Sequence, residues 1–267
     1  CLLSLILRFD LVTRSNSSPT GWNKNLIKSL IFKFLFKIPK KIIVNSKDFK
    51  NEIDKKFKIN SKLIYNPLNL TEIKRQSKSK TDLNFFNNTK IKAINVARFT
   101  DQKDHITLLK SILILVKKNF KIKLLIIGYG PNKSKMLNFI KKNKLKKNVK
   151  IINFQKNPYK FMMKSNLFIL SSLYEGLPNV LLESMALKKS IISSNCPTGP
   201  REILKKGKLG MLYPPQNERV LAKKIIAFNN NPKKFSIIAD YAFKSLKRFD
   251  YDYNCEKYFQ LIRKHIS

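Results

Sequence analysis

Short apolar runs alternate with helix-like segments between residues 91 and 213. The runs predicted as strands lie at residues 91–96, 123–127, 149–153, 167–170, 190–193 and 210–213. Helical patterns at residues 105–118, 133–142, 158–164 and 179–187 separate them. This alternation favours an α/β class with a parallel sheet covered by helices on both faces. Because ligands of such sheets bind beyond the carboxyl ends of the strands, we expect the site in the loops that follow them.

The residues before this region contain fewer elements of the same kind. Residues 5–13 are compatible with a strand, and further strands are predicted at residues 41–45 and 62–65. Helices are predicted at residues 25–38 and 47–57, the second of them capped by Ser46. The polar stretch at residues 69–89 is the predicted boundary between two domains. Helices at residues 218–228, 233–246 and 253–266 complete the chain.

The chain of 267 residues carries 55 Lys and Arg against 16 Asp and Glu, which gives a formal charge of +39. Such an excess suits nucleic acid or an anionic membrane surface as partner. The lysines, however, are spread along almost every segment, without zinc-finger spacing, an RNP-like aromatic pattern or a bounded basic tail. We therefore expect an anionic membrane surface, and no nucleic acid, among the partners.

Three further features concern the setting of the protein. No apolar run reaches the ~18–20 residues that cross a bilayer. The three cysteines are scattered without metal-ligand spacing, and their odd number favours a reducing, cytosolic setting. The sequence begins with Cys1, in the middle of a pattern, and we expect it to be part of a longer protein.

The predicted helix at residues 25–38 allows two interpretations. Its apolar half consists of Leu26, Ile27, Leu30, Ile31, Phe34, Leu35 and Ile38. Phe32 and Phe36 lie one turn apart on the otherwise polar side. We favour a helix packed between two layers. The alternative is a basic helix whose Phe32 and Phe36 rest in the headgroup region of a membrane.

The loop after the first strand of the alternation contains two cations five positions apart, Arg98 and Lys103. Arginine forms bidentate hydrogen bonds with phosphate, and lysine provides a point charge. The alternative is two solvated surface cations. Gly128 and Gly130, after the next strand, would allow close backbone approach to a phosphate or simply form a turn.

Two carboxylates interrupt the apolar segment that follows residues 167–170. Glu175 lies in the loop, and Glu183 lies in the following helix, on the same face as Asn179. A carboxylate in such a segment must be solvated, paired or bound to a polar ligand. Carboxylates can hold sugar hydroxyls while the N–H groups at the helix start hold phosphate, which suits a nucleotide sugar. The alternative is one loop Glu and one solvent-facing Glu.

Four blocks together resemble the retaining glycosyltransferases of family 4, whose GT-B fold has two facing Rossmann-like domains. The blocks are residues 97–104, 127–131, 174–183 and 196–204. The last block, which includes Arg201, resembles the branch that adds hexose or N-acetylhexosamine to lipid-linked oligosaccharide, O-antigen or capsule precursors. Residues 1–67 would then be the end of an acceptor-side N-terminal domain, and residues 68–89 a linker. Residues 90–250 would form a doubly wound, Rossmann-like nucleotide-sugar domain, and residues 251–267 a helix that crosses back.

The resemblance also implies roles for individual residues. Arg98 and Lys103 would neutralise the donor's diphosphate without a metal ion or other cofactor. Glu175 would contact the hydroxyls of the transferred sugar, and Glu183 those of the ribose. The other residues implied in donor binding are Gly128, Gly130, Phe154, Gln155, Gly176, Leu177, Pro178, Asn179 and Arg201.

The implied reaction transfers a sugar, with retention of configuration, from a nucleotide diphosphate sugar to a lipid-linked glycan or polysaccharide precursor. The donor is expected to be UDP-linked, and the protein to lie in the cytoplasm, on the inner face of the membrane. The sequence differs from the family pattern in two places. Ala97 stands where the family usually has Gly, and residues 12–16 lack the His that many members have there. No catalytic base is therefore assigned. The first alternative is a nucleotide-sugar-binding protein without transfer activity, and the second, on charge alone, is a basic nucleic-acid-binding protein.

Overall fold

Two parallel sheets organise the chain in a computed structural model that describes residues 10–16 and 25–265 together with Cys1 and Leu3. The smaller sheet contains β1 (Val12–Ser15), β2 (Lys41–Val44) and β3 (Lys62–Leu63) in that order. The larger sheet has the order β6-β5-β4-β7-β8-β9. Its strands are β4 (Ile91–Val96), β5 (Ile122–Ile127), β6 (Val149–Ile152), β7 (Leu167–Leu170), β8 (Ser190–Ser194) and β9 (Met211–Tyr213). All paired strands are parallel, which confirms the α/β prediction.

The central strands of the larger sheet are buried on both faces, and the sequences of β5 and β7 are apolar almost throughout. Alternate residues of β5 enter different core clusters: Leu125 and Ile127 join one, and Leu124 and Ile126 join the other. Each cluster is completed by helices on its own side of the sheet. The sheet therefore has the doubly wound form that the alternation predicts.

Eleven labelled helices accompany these strands in the described residues. They are α1 (Leu26–Leu35), α2 (Lys47–Phe57), α3 (Leu70–Ser77), α4 (His105–Lys117), α5 (Lys133–Lys142), α6 (Tyr159–Lys164), α7 (Asn179–Ala186), α8 (Pro200–Ile203), α9 (Glu218–Asn230), α10 (Pro232–Lys244) and α11 (Tyr251–Arg263). The predicted elements agree with these within a few residues. Residues 5–9 of the first predicted strand and residue 266 of the last predicted helix lie outside the described residues.

Helix α3 lies inside the polar stretch that was predicted as a domain boundary. The side chain of Asn69 caps it by accepting a hydrogen bond from the backbone N–H of Glu72 at 2.9 Å. Ile73 of this helix is buried in the core on one face of the larger sheet, as is Phe86 further along. The division into residues 1–67, 68–89, 90–250 and 251–267 stays a prediction, to which the structure adds an unpredicted helix.

Two predicted helix starts have different outcomes. Ser46 caps α2 as predicted, because its hydroxyl accepts a hydrogen bond from the N–H of Phe49 at 3.1 Å. At α4 the position of His105 at the helix start predicts a capping or surface residue, and this prediction is wrong. Asp104 caps this helix, whereas the His105 ring is buried, 3.1 Å from Asn95 Oδ1. Burial, and then the nearby Lys103 charge, lower the pKa of His105 to about 4, which keeps the ring neutral.

Helix α1 contradicts both interpretations of residues 25–38. None of its residues is buried, so it does not pack between two layers. Phe32 and Phe36 face inward, and the Phe36 ring centroid lies 4.8 Å from that of Phe57. The exposed residues of α1 are instead Leu26, Ile27, Leu30, Ile31 and Phe34. The side that contains Phe32 and Phe36 therefore packs on α2, and the side that contains Leu30 and Phe34 faces outward.

Hydrogen bonds join the two sheet regions. The amide of Asn66 donates to Asn179 Oδ1 at 2.5 Å, and the Tyr65 hydroxyl donates to Glu202 Oε1 at 2.7 Å. The second oxygen of Glu202 accepts from the N–H of Asp48 at the start of α2. No helix in the described part of the chain combines the length and hydropathy that crossing a membrane requires.

Candidate active site

The order of the larger sheet reverses between β4 and β7. From β4 the chain proceeds to β5 and β6 on one side, and from β7 it proceeds to β8 and β9 on the other. The loops that follow β4 and β7 consequently leave the same edge in divergent directions, and a crevice opens between them. These two loops contain Arg98 and Lys103 on one side and Glu175 on the other.

Lys103 and Glu175 form a buried ion pair at this edge. The ammonium nitrogen lies 2.5 Å from Glu175 Oε1, and the two side chains are only 14% and 8% exposed. Gln102 fixes the loops together, because its carbonyl accepts from the N–H of Leu173 and its side chain donates to the carbonyl of Tyr174. The structure thus brings together two predicted site residues that are 72 positions apart in sequence.

Arg98 and Glu183 line a neighbouring cavity of about 470 Å³ at the carboxyl ends of β4 and β5. The predicted site residues Gly128, Phe154, Gln155 and Asn179 line the same cavity. Its remaining walls come from Val96, Ala97, Ile127, Tyr129, Lys156, Pro158, Tyr159 and Val180. This volume is within the range of small-molecule sites, which are commonly about 300–1,000 Å³.

Burial raises the pKa of Glu183 to about 7, although a hydrogen bond with the Tyr159 side chain partly opposes the shift. Tyr159 was not predicted as a site residue. A signal for it existed in the sequence, since it follows strand β6, whose carboxyl end borders the cavity. The phenol and the carboxyl together present a polar group in a cavity whose walls are otherwise largely apolar.

The glycines of the loop after β5 have a packing role in the structure. A Cβ at Gly128 would lie 1.9 Å from the carbonyl oxygen of Ala97, and one at Gly130 would lie 2.6 Å from that of Phe99. Gly130 also has a φ of +146°, which disfavours other residues. These positions let the loops after β4 and β5 approach each other, a reason for glycine that does not depend on phosphate.

The loop from Gly176 to Pro178 is held tightly from both sides. A Cβ at Gly176 would lie 2.0 Å from the Asn16 carbonyl oxygen of the smaller sheet region, and the Thr198 hydroxyl donates to the Glu175 carbonyl at 2.5 Å. Leu177 is buried in a core cluster, so its side chain packs rather than faces the cavity. Pro178 precedes α7, and Asn179 begins it. Arg201 is exposed and is not among the residues that line the cavity.

The smaller sheet region contributes polar side chains that sequence reasoning missed. Arg14, at the carboxyl end of β1, donates to Asn66 Oδ1 at 2.5 Å, and Asn66 donates in turn to Asn179. The Arg14 guanidinium also lies over the ring of Tyr258 on α11, 5.4 Å from its centroid. This chain of contacts connects both regions to the first residue of the helix that contains Glu183.

Comparison with known proteins identifies the family. The family model described as "Glycosyl transferases group 1" matches residues 77–245, more than half of the chain. The chain belongs to the group 1 glycosyltransferases. The matched range includes the whole larger sheet and the residues that line the cavity, so the family assignment rests on the region that contains the candidate site.

Two relatives of this group 1 glycosyltransferase indicate its wider family. An uncharacterized glycosyltransferase of Methanocaldococcus jannaschii is 36% identical over 180 residues, which are 66% of this chain and 44% of the relative. The N-acetylgalactosamine-N,N'-diacetylbacillosaminyl-diphospho-undecaprenol 4-alpha-N-acetylgalactosaminyltransferase of Campylobacter jejuni is 32% identical over 203 residues, 73% of this chain and 53% of the relative. The chain therefore spans about half the length of these curated relatives.

Solved structures show the same fold. Anabaena Alr3699/HepE in complex with UDP-glucose has a TM-score of 0.85 at 19% identity, over 98% of this chain and 74% of that one. Staphylococcus aureus TarM in complex with UDP has a TM-score of 0.79 at 21% identity, over 94% of this chain and 50% of that one. The group 1 glycosyltransferase thus has the GT-B fold that the resemblance implied.

Proposed function

We propose that this group 1 glycosyltransferase transfers a hexose or N-acetylhexosamine from a UDP-linked donor to a lipid-linked glycan or polysaccharide precursor, with retention of configuration. One observation carries the proposal. Arg98, Lys103, Glu175 and Glu183 lie on the loops and the helix that flank the reversal point of the sheet, around the cavity and the buried ion pair. Cations beside carboxylates match the diphosphate and the hydroxyls of a nucleotide sugar.

The proposed role of Arg98 and Lys103 is to bind the diphosphate of the donor. Negative charge grows on the leaving diphosphate as the bond to the sugar breaks, and nearby cations stabilise that charge. Lys103 is paired with Glu175 in the structure. Donor phosphate would replace Glu175 as its partner and free the carboxylate to accept hydrogen bonds from the sugar hydroxyls. On this proposal the reaction needs no metal ion, and we expect EDTA to leave its rate unchanged.

Glu183 is proposed to accept hydrogen bonds from the ribose hydroxyls of the donor. Its carboxyl lies in the cavity next to Tyr159, away from the ion pair of Lys103 and Glu175. On this proposal the nucleoside occupies the cavity of about 470 Å³, and its phosphates point toward Arg98. UDP is the proposed nucleotide because the compared structures of Alr3699/HepE and TarM contain it. A lipid-linked acceptor is proposed from the diphospho-undecaprenol in the name of the Campylobacter relative.

Titration calorimetry with UDP in physiological salt tests the donor site. We expect saturable binding that Glu183→Ala weakens by roughly 10- to 150-fold, because one charged hydrogen bond contributes about 1.5–3 kcal/mol. Glu256→Ala, on the surface of α11, is the matched control and should bind normally. Wild-type protein that fails to bind UDP or any other nucleoside diphosphate would contradict the proposal.

Transfer itself requires a second experiment, because binding alone would also suit a protein without transfer activity. The protein is incubated with a panel of UDP-sugars and lipid-linked acceptors, and the anomeric configuration of any product is read by NMR. Product with the configuration of the donor would support retention. Nucleotide binding without any turnover across the panel would favour the non-catalytic alternative.

Peripheral attachment to the inner face of the cytoplasmic membrane is the remaining part of the proposal. The exposed side of α1 presents large apolar residues, among them Leu30 and Phe34. Helix α1 contains Lys28 and Lys33 and no acidic residue, so it is complementary to an anionic bilayer. In flotation with anionic vesicles, Leu30→Ser with Phe34→Ser should reduce binding. The control Ile237→Ser with Tyr241→Ser, on the exposed face of α10, should not. Equal flotation of the two double variants would refute this attachment site.

A further inference from the structure

A second hollow lies at the amino ends of β2 and β3, where these strands begin with Lys41 and Lys62. The carboxyl ends of the same strands lead instead to Asn45 and Asn66, beside the larger region. The hollow is therefore at the edge of the smaller sheet that faces away from the donor cavity. Its volume is about 620 Å³, against about 470 Å³ for the donor cavity. Helix α11 forms its other wall.

Five lysines line this hollow, and both walls contribute to them. They are Lys40, Lys41 and Lys62 on the side of the sheet, and Lys257 and Lys264 on α11. We name the hollow the lysine groove. No acidic side chain of the described residues lines it. Lys40 pairs with Asp10 at 2.6 Å, but the described residues place no carboxylate within ion-pair distance of the other four lysines.

The lysines of the two walls repel each other. Like charges around one groove raise the electrostatic potential inside it, and the protein walls keep water from screening that potential fully. Helix α11 is nevertheless held against the smaller region, since the ring of Tyr258 lies under the guanidinium of Arg14. An anion between the walls would neutralise both sets of lysines and hold the helix against the sheet.

The shape of the groove favours a small ligand over a membrane. A bilayer is flat on this scale and meets lysines that project from a convex surface, whereas these lysines surround a hollow whose volume is typical of small-molecule sites. Leu63 and Leu261 line the same hollow and provide an apolar part of its wall. Ammonium groups beside an apolar wall suit an organic molecule that bears phosphate groups.

We propose that the lysine groove binds a small phosphate-bearing polyanion, which bridges α11 and the smaller sheet. The phosphate oxygens accept charged hydrogen bonds from the lysines of both walls, and the organic part of the ligand covers Leu63 and Leu261. This site is separate from the donor cavity and goes beyond the proposed transfer reaction.

Calorimetry with inorganic triphosphate in physiological salt tests the groove, with UDP present throughout to occupy the donor cavity. We expect saturable binding by the wild type. The double variant Lys62→Gln with Lys264→Gln changes one lysine in each wall and should weaken this binding at least roughly tenfold. The control, Lys141→Gln with Lys142→Gln, removes the same charge from the exposed end of α5 and should bind as the wild type does.

Thermal unfolding distinguishes a ligand site from a structural role of the same lysines. The groove variant removes like charges, so without ligand it should unfold at the temperature of the wild type or above it. Triphosphate should raise the unfolding temperature of the wild type and of the control, but not that of the groove variant. A groove variant that unfolds at a lower temperature without ligand would mean that these lysines stabilise the fold, against the proposal.

Three further outcomes would overturn the proposal. One is a wild type that does not bind triphosphate. Another is equal weakening of triphosphate binding in the groove variant and in the control, because overall charge would then hold the anion. The third is a groove variant that loses flotation with anionic vesicles but keeps its affinity for triphosphate, because the lysines would then face a bilayer. Failure of UDP to bind would contradict the donor site alone, since the groove variant is compared with its control in either case.

Discussion

The larger sheet is covered on both faces, whereas the smaller sheet has one core cluster of five buried residues beside a helix that buries none. The difference follows from the sequences. Strands β5 and β7 are apolar at nearly every position, so both of their faces need cover. Helix α1 has apolar residues on both sides. Among the described residues, only the side with Phe32 and Phe36 packs against the core cluster of the smaller sheet.

The two regions also divide the candidate chemistry unequally. The charged site residues come from the larger sheet, where surrounding helices hold their loops and bury Glu175. The smaller region adds Asn66, and the backbone of Asn16, against the loop and helix that contain Glu175 and Glu183. The well-packed region therefore sets the positions of the reacting groups. The smaller region supports them through its contacts with the loop and the helix.

The largest expected difference in stability is between a buried side chain of the larger sheet and an exposed one of α1. Phe168→Ala, on β7, removes a side chain that is fully buried, and should lower the free energy of unfolding by about 3–5 kcal/mol. Leu30→Ala, on the exposed side of α1, should change it by less than about 0.5 kcal/mol. Urea denaturation followed by circular dichroism measures both. A Leu30→Ala cost close to that of Phe168→Ala would mean that the exposed side of α1 is covered in solution.

Breaking the ion pair of Lys103 with Glu175 should destabilise the protein nearly as much as Phe168→Ala. Lys103→Met leaves the Glu175 carboxylate buried without its cation, which should cost about 3–5 kcal/mol of stability. Lys188→Met breaks an exposed ion pair with Asp240 and is the matched control, expected to cost at most about 1 kcal/mol. Replacing both partners, as in Lys103→Met with Glu175→Leu, should restore stability without restoring transfer. Equal costs for the two single variants would count against burial as the cause.

Glu183 makes the larger region sensitive to pH. Its pKa is raised from an ordinary 4.5 to about 7, so the folded protein retains a proton that the unfolded chain releases. The stability that this proton provides is complete below about pH 4.5 and is lost as the pH rises through 7. Between pH 4.5 and pH 8, the free energy of unfolding of the wild type should therefore fall by on the order of 1–3 kcal/mol relative to that of Glu183→Gln. Parallel pH profiles of unfolding for the two proteins would refute the assignment.

The smallest expected effect on stability comes from the hydrogen bonds that join the two regions. Asn66→Ala removes a buried amide that joins Arg14 to Asn179, and should cost about 1–2 kcal/mol. Asn60→Ala, at an exposed position of the smaller region, should cost less than about 0.5 kcal/mol. Thermal unfolding of both variants tests whether the two regions support each other. Independent regions would leave unfolding of the larger one unaffected by Asn66→Ala.

The elements of the larger sheet could be predicted because their hydrophobic pattern is strong. Helix α3 was missed because its sequence is mostly polar and buries Ile73 alone. The orientation of α1 could not be obtained from its own pattern, since the side that packs inward is determined by Phe57 of another helix. Local sequence therefore determines where a helix forms more reliably than which side of it is covered.

The candidate site, too, could be predicted from the sequence only in part. Arg98, Lys103 and Glu175 could be found from loops that follow strands, because those loops meet at one edge of the sheet, and Glu183 from the apolar helix that it interrupts. The direct contact of Lys103 with Glu175 could not, since it depends on hydrogen bonds of Gln102 to a loop distant in sequence. Gly128 and Gly130 were expected either to approach a phosphate or to form a turn, and the structure gives them a packing reason that sequence alone does not distinguish.

A crystal structure of the protein with UDP bound is the most direct test of the central proposal, a single donor site at the reversal point of the sheet. We predict that the diphosphate lies within hydrogen-bond distance of both Arg98 and Lys103, and that the ribose contacts Glu183. Lys103 Nζ should then have left Glu175 Oε1. UDP bound away from the cavity, or a diphosphate that contacts neither cation, would contradict the account.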